Sequence, residues 1–252
     1  MRIIIITQNE PFYLKSNLEY LTKILTDESE IVGCVLNTAS PFGKKETFIE
    51  KILKTYNVFG LKFFIHYSIK YIKLFFSKST KNFLTENDIP IINIEGSINS
   101  QSSLNTIKSF NPDLLVSILG NQIFNKPLID LAPKGCINLH TALLPKYRGL
   151  LPTFWVMKNN EKYTGVSVFF VDEGIDSGPI IVQTEVKIGN RTQKELITYT
   201  KKLGMEAIAK SIDLIHKNKV KLIANDASKK SYFTFPTRQD VLEFKKNGKK
   251  FF

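Results

Sequence analysis

The chain of 252 residues is 43% hydrophobic and 23% charged, ordinary values for a soluble globular protein and enough for one large α/β domain with or without a small appendage. No apolar run approaches the roughly 20 residues that span a bilayer, and the N-terminal isoleucine run is too short for a signal peptide, so a cytoplasmic protein is expected. The net charge of +12 is local: residues 44–81 hold nine Lys against two Glu, and residues 229–252 hold six Lys and one Arg against one Asp and one Glu, which accounts for the whole excess.

Such basic patches suit a nucleotide diphosphate, a nucleic-acid backbone or a membrane surface, or simply keep an apolar helix soluble. Arg2 to Thr7 reads as a first buried strand, because Ile-rich runs suit a strand covered on both faces. The loop from Thr7 to Tyr13 has no glycine, which excludes a dinucleotide fingerprint there. Its polar residues Gln8, Asn9, Glu10 and Tyr13 fit either an acceptor contact or ordinary turn chemistry. Leu18, Leu21, Ile24 and Leu25 recur at helical spacing, and Glu30 to Asn37 is a second strand. Within residues 44–84, Ile49, Ile52, Leu53 and Tyr56 predict an amphipathic helix broken at Gly60. An apolar stretch with scattered lysines, Phe63 to Phe76, follows it. It either lies on a membrane surface or packs on the domain with lysine stems reaching water; packing is the favoured expectation. Strands are then predicted at Ile89–Glu95 and Pro112–Gly120, with a helix near Leu104–Phe110 between them.

Cys136 to His140 reads as a strand that points Asn138 and His140 one way and Leu139 the other. Open α/β sheets bind ligands at such strand ends. In the following Leu143-Leu-Pro-Lys-Tyr-Arg-Gly149, Pro145 fixes one backbone angle and Gly149 permits a turn closed to other residues. Arg148 either holds that loop or meets an anion. Pro152 to Lys158 is a short helix in which Trp155 is expected to pack, and Val166 to Val171 is a strand that delivers Asp172 and Asp176. Ile180 to Val186 should run antiparallel, since its connection is too short for a helical crossover. Thr192-Gln-Lys-Glu195 is a capping box opening a helix over about 193–218. The tail from Ser231 reads as an extended segment and a short basic helix. His66 and His216 are expected to be structural. Cys34 and Cys136 sit in strands as core thiols, and no His/Cys cluster suggests a metal.

An amide, an imidazole and a carboxylate brought together stabilise an oxyanion and move a proton, as acyl transfer to an amine requires. Asn138-x-His140, Leu-Leu-Pro-x-Tyr-Arg-Gly and Asp-x-Gly-Ile-Asp-x-Gly-Pro resemble the 10-formyltetrahydrofolate-dependent formyltransferases. That group includes methionyl-tRNA, glycinamide ribonucleotide and nucleotide-sugar N-formyltransferases. The resemblance implies a Rossmann-like, mostly parallel sheet with helices on both faces, in a catalytic domain over residues 1–220 with a short basic extension over 221–252. It implies Asn138, His140 and Asp176 as the catalytic trio and 10-formyltetrahydrofolate as co-substrate, with no metal. Residues 117–123 would line the pterin pocket, so Leu119 and Ile123, with Val171, Asp172 and Glu173, are expected to contact the folate. Asn9, Glu10, Tyr13 and Arg148 are expected on the acceptor side. One departure is visible: the family commonly has Ser before Leu-Leu-Pro, where this chain has Ala142 preceded by Thr141.

The tRNA-formylating members carry a separate C-terminal β-barrel, for which the residues after the long helix are too few. Glycinamide ribonucleotide enzymes have no obvious counterpart to residues 44–84. A basic, aromatic insertion and tail make the chain resemble most the nucleotide-sugar N-formyltransferases, implying a nucleotide-linked amino sugar as acceptor. Methionyl-tRNA is the alternative, and a catalytically silent protein binding membrane or nucleic acid is a different class. The reading admits a homodimer and expects no stable nucleic-acid partner; membrane contact through residues 44–84 is the less favoured option.

Overall fold

The computed structural model describes residues 1–37, 47–75, 79–120 and 122–252. Residues 44–46 and 76–78 of the basic segment, and Asn121 within the 117–123 wall, lie outside them. Along β1 (Arg2–Gln8), Ile3 and Ile5 face one side and Ile4 and Ile6 the other, all fully buried. A strand apolar on both faces requires cover on both. It pairs in parallel with β2 (Glu30–Asn37), which pairs with β3 (Ile91–Ile92); on its other side it pairs with β4 (Leu114–Ile118), which pairs with β5 (Cys136–His140). Two antiparallel strands, β7 (Tyr163–Phe170) and β8 (Ile180–Lys187), complete the order β3-β2-β1-β4-β5-β7-β8. The chain thus winds outward from β1 in both directions. Strand order reverses between β1 and β4, where doubly wound sheets leave a crevice at the carboxyl ends.

Helices α1 (Leu14–Ile24) and α8 (Gln193–His216) cover one face, setting Leu14, Leu18, Met205 and Ile208 against Ile3, Ile5, Val116 and Ile137. The other face packs Ile4, Ile6 and Leu115 against Leu104 and Ile107 of α5 (Gln101–Lys108) and Leu128 of α6 (Lys126–Ile129). The capping box of α8 forms, with Thr192 N donating to Glu195 Oε2 at 2.8 Å and Glu195 N to Thr192 Oγ1 at 3.3 Å. A Cβ on Gly204 would lie 2.5 Å from the Leu139 side chain, so glycine lets α8 sit directly on β5. The third strand is shorter than expected, two ladder residues, because Pro90 cannot donate and Ile94 already lies beyond the pairing. Helices α4 (Thr80–Glu86) and α6 are additions to the expected set, capped by the Ser79 and Asn125 side chains.

A third core joins segments distant in sequence. Phe154 and Trp155 of α7 (Pro152–Lys158) pack with Val241 and Phe244 of α9 (Arg238–Lys246), with Phe251, and with Phe59 of α2 (Phe48–Phe59). The break at Gly60 separates α2 from α3 (Leu61–Phe75), whose Phe63 ring lies 4.4 Å from Phe59 and 5.0 Å from Phe251. His66 stacks on Phe252 at 3.8 Å, and Trp155 Nε1 donates to the Thr234 carbonyl. The tail folds back on the body, where β9 (Tyr232–Phe233) pairs in parallel with β6 (Arg148–Gly149).

Candidate active site

A cavity of about 420 Å³ opens at the carboxyl ends of β1, β4 and β5, the crevice that the strand order creates. Asn138, His140 and Asp176 all line it. Asn138 stands in register with Ser117 of β4, and both face the cavity. Its Oδ1 is buried and has no hydrogen-bond partner among the described residues. A buried amide oxygen left unsatisfied is costly, so an N–H donor from a ligand would be stabilising there.

His140 is buried and held from both sides. Its Nε2 lies 2.7 Å from the Tyr147 carbonyl oxygen, and its Nδ1 lies 3.5 Å from Asp176 Oδ2. A carbonyl only accepts, so Nε2 carries a proton, and Nδ1 is the nitrogen that faces the carboxylate. Asp176 sits in the left-handed region at φ 49°, and its Oδ2 also accepts from Gly149 N at 2.8 Å. The carboxylate therefore links the Asp loop to the loop that supplies the carbonyl for His140.

Arg148 does not line the cavity. It is buried and donates through Nη2 to Asn225 Oδ1 at 2.8 Å. Asn225 Nδ2 in turn donates to the carbonyls of Asp176 and Gly178, each at 2.9 Å. Of the two roles open to Arg148, the structure displays the internal one. Gly149 has φ 93°, and a Cβ there would lie 2.2 Å from the Phe233 carbonyl oxygen, so only glycine admits the tail strand. On the other side, buried Ser167 of β7 takes up the loop around Ala142. Its Oγ donates to the Ala142 carbonyl at 2.7 Å and accepts from Leu144 N at 3.1 Å, while Gln183 Nε2 reaches both Ser167 Oγ and the Leu144 carbonyl at 2.9 Å. The loop at Ala142 thus takes its hydroxyl contact from the neighbouring strand.

On the side of the β1 loop, Glu10 and Tyr13 line the cavity. The Glu10 carboxylate accepts from Phe12 N and Tyr13 N, both at 2.8 Å, so it folds its own loop as well. Lys201 of α8 also lines the cavity, with Nζ 5.2 Å from the Tyr13 ring centroid; Lys70 of α3 approaches the same ring at 4.4 Å and Phe12 at 4.6 Å. Burial pushes the Lys201 ammonium down to about 8, against the attraction of Glu10. Burial likewise lowers Lys70, again opposed by Glu10. Lys201 at the cavity wall and Lys70 just beyond it outnumber the one Glu10 carboxylate around the Tyr13 ring, so this end is net positive.

Leu119, Ile123, Val171 and Asp172 form the opposite wall, and the Asp172 carboxylate turns its loop by accepting from Gly174 N. Glu173 is exposed and away from the cavity, and Asn9 is held by its backbone to Asn37 rather than lining it. Lys201, Asn225 and Ser167 lie outside the sequence-based site. Lys201 carried a signal: it precedes Met205 and Ile208 at spacings of four and seven on the buried face of α8, where a lysine is out of place. Asn225 and Ser167 carried none. Among the described residues, no group of three His, Cys, Asp or Glu is placed to hold a metal.

Curated relatives include the methionyl-tRNA formyltransferase of Alkaliphilus oremlandii, 39% identical over 136 residues, which are 54% of this chain and 44% of that protein. The Kosmotoga olearia methionyl-tRNA formyltransferase is 33% identical over 68% of this chain and 56% of its own. The chain spans about half the length of these relatives. Similar folds occur in the Helicobacter canadensis N-formyltransferase, solved with folinic acid and dTDP-3-aminofucose, at 20% identity and TM-score 0.59 over 95% of this chain and 72% of that one. The phosphoribosylglycinamide formyltransferase of Anaplasma phagocytophilum gives 17% identity and TM-score 0.65 over 94% and 99%. The formyl transferase family model matches residues 73–212, more than half of the chain and the part that contains Asn138, His140 and Asp176, and the chain belongs to that family.

Proposed function

We propose that the chain transfers the formyl group of 10-formyltetrahydrofolate to a primary amine, and that the amine belongs to a nucleotide-linked amino sugar. The observation that carries the reading is the convergence of Asn138, His140 and Asp176 on one cavity, with Asn138 Oδ1 unpartnered inside it. The residues present fit a folate: Leu119, Ile123 and Val171 would hold an apolar ring system, and Asp172 supplies a polar edge. When bound, the folate supplies an activated formyl carbon on a leaving nitrogen.

Asn138 Nδ2 and a protonated His140 Nδ1 would donate to the developing oxyanion, donors worth roughly 3–4 kcal/mol each. Asn138 Oδ1 would orient the attacking amine through its N–H. Asp176 balances the charge on His140 when Nδ1 is protonated. It would also accept the proton that the amine loses as its nitrogen bonds the formyl carbon. That proton ends on the leaving nitrogen as its bond to the same carbon breaks.

The acceptor follows from Lys201 and Lys70 beside Tyr13, which suit the phosphates of a nucleotide, with Phe12 and Tyr67 as ring surfaces near a base. Helix α3 lies against this loop, Phe12 meeting Tyr67 at 5.5 Å, which favours a small acceptor. Methionyl-tRNA is the second reading, supported by the name that the relatives above 30% identity carry. The test mixes the protein with 10-formyltetrahydrofolate, nucleotide-linked amino sugars and charged initiator tRNA, scored by mass spectrometry beside His140→Ala. A formylated sugar that the variant cannot make supports the proposal; formylated tRNA alone replaces it with the second reading; no formylated product overturns both.

A further inference from the structure

Helix α3 has two apolar faces. Phe63 and Tyr67 turn inward, onto Phe59, Phe251 and Phe12. Leu61, Ile65, Ile69 and Ile72 fall within one arc of about 80° on the other side, and are 58%, 48%, 50% and 60% exposed. On α2, Ile49 and Leu53 are 67% and 53% exposed. Tyr56, one turn further on the same stripe, meets Phe64 at the flank of the α3 stripe, with ring centroids 6.1 Å apart. A helix that only packs on its domain buries one stripe and turns polar residues outward. Here the outward stripe is aliphatic, and a contiguous exposed apolar surface marks an interaction site.

We propose that this α2–α3 face docks on an anionic lipid surface. The occupant follows from charge. Exposed Lys62 and Lys73 border the α3 stripe at the next positions round the helix, and residues 51–75 hold no Asp or Glu. Isoleucines that sink to the acyl boundary, with ammonium groups at phosphate level, are the chemistry of an interfacial helix on an anionic bilayer. A second copy of this chain would set the same lysines against each other. Among the described residues no helix is long and apolar enough to cross a membrane, so the contact is peripheral.

The test is co-sedimentation of the purified protein with phosphatidylglycerol-rich vesicles and with pure phosphatidylcholine vesicles, at low and high salt. Binding to the anionic vesicles, weakened by salt and by Lys62→Glu with Lys73→Glu, is expected. Replacing Ile65, Ile69 and Ile72 by Glu should lower it by at least about tenfold, with circular dichroism and melting temperature unchanged. No binding to anionic vesicles at low salt overturns the proposal, as does binding indifferent to the isoleucine substitutions. A concentration-dependent dimer in sedimentation equilibrium, dissolved by the same substitutions, also overturns it by assigning the face to a second copy. A folate-transfer assay is independent of these outcomes.

Discussion

Asn225 holds Asp176 by its backbone: the amide Nδ2 donates to the Asp176 carbonyl at 2.9 Å and to the Gly178 carbonyl at the same distance. The other end of the amide accepts from buried Arg148. One side chain from beyond the long helix thus fixes the Asp loop against the loop that presents the Tyr147 carbonyl to His140.

Asn225→Ala is expected to lower kcat by roughly 10- to 100-fold through misplacement of Asp176, with little change in the KM for folate. Asn225→Asp keeps a partner for Arg148 but sets a carboxylate against two carbonyls, so it should not restore activity. Steady-state kinetics on both variants checks this. Full activity in Asn225→Ala would mean that the Asp loop holds itself.

On the proposed mechanism, removing the His140 imidazole should be costlier. His140→Ala is expected to reduce kcat by about 10²- to 10³-fold, the scale of a lost oxyanion donor. Asp176→Asn should lower turnover far more than folate affinity, measured by single-turnover kinetics and by fluorescence titration of the folate. Equal losses of both would reduce Asp176 to a shaping role.

Lys201 gives a pH dependence of defined sign. Its folded pKa of about 8 lies below the ordinary lysine value of 10.5, so the unfolded chain binds the extra proton between these values and stability rises with pH there. The full cost, of order 3 kcal/mol, is present below about pH 8. Lys201→Met should therefore be more stable than the parent at neutral pH, with the difference shrinking from about pH 8 to 10.5 in urea melts. If the ammonium holds an anionic acceptor, the parent's KM for acceptor rises above about pH 8 and that of the variant does not.

The tail can be displaced at one atom. Gly149→Ala places a Cβ against the Phe233 carbonyl at a left-handed backbone position. A loss of at least about 2 kcal/mol is expected, with separation of β6 from β9. Phe244→Ala empties the core beneath the tail, where Phe244 is fully buried, at about 3–5 kcal/mol. Both should expose residues 229–237 to limited proteolysis and depress turnover together. A tail that resists protease in both variants would show that the pairing with β6 does not hold it.

Elements whose cause is local are legible in the sequence. Strand alternation alone puts Asn138 and His140 on one face, and both line the cavity. The Thr192–Glu195 box closes within four residues, and Gly60 ends α2. The antiparallel course of β8 follows from a connection too short for a crossover, and β8 does run antiparallel to β7. These depend on spacing, which a sequence states outright.

What only the tertiary structure decided depends on which distant groups meet. Arg148 faces Asn225 across 77 positions, and Ser167 meets Ala142 from another strand. Lys201 is perturbed because the β1 loop and α8 enclose it, and desolvation is a property of surroundings that no residue carries by itself. The composition of α3 likewise predicted packing, but whether one apolar stripe or two found cover was set by how much surface the tail and the β1 loop present to it. They cover the Phe63–Tyr67 side and leave the isoleucines outside. Local spacing dictates which side chains share a face; only the assembled chain dictates what that face meets.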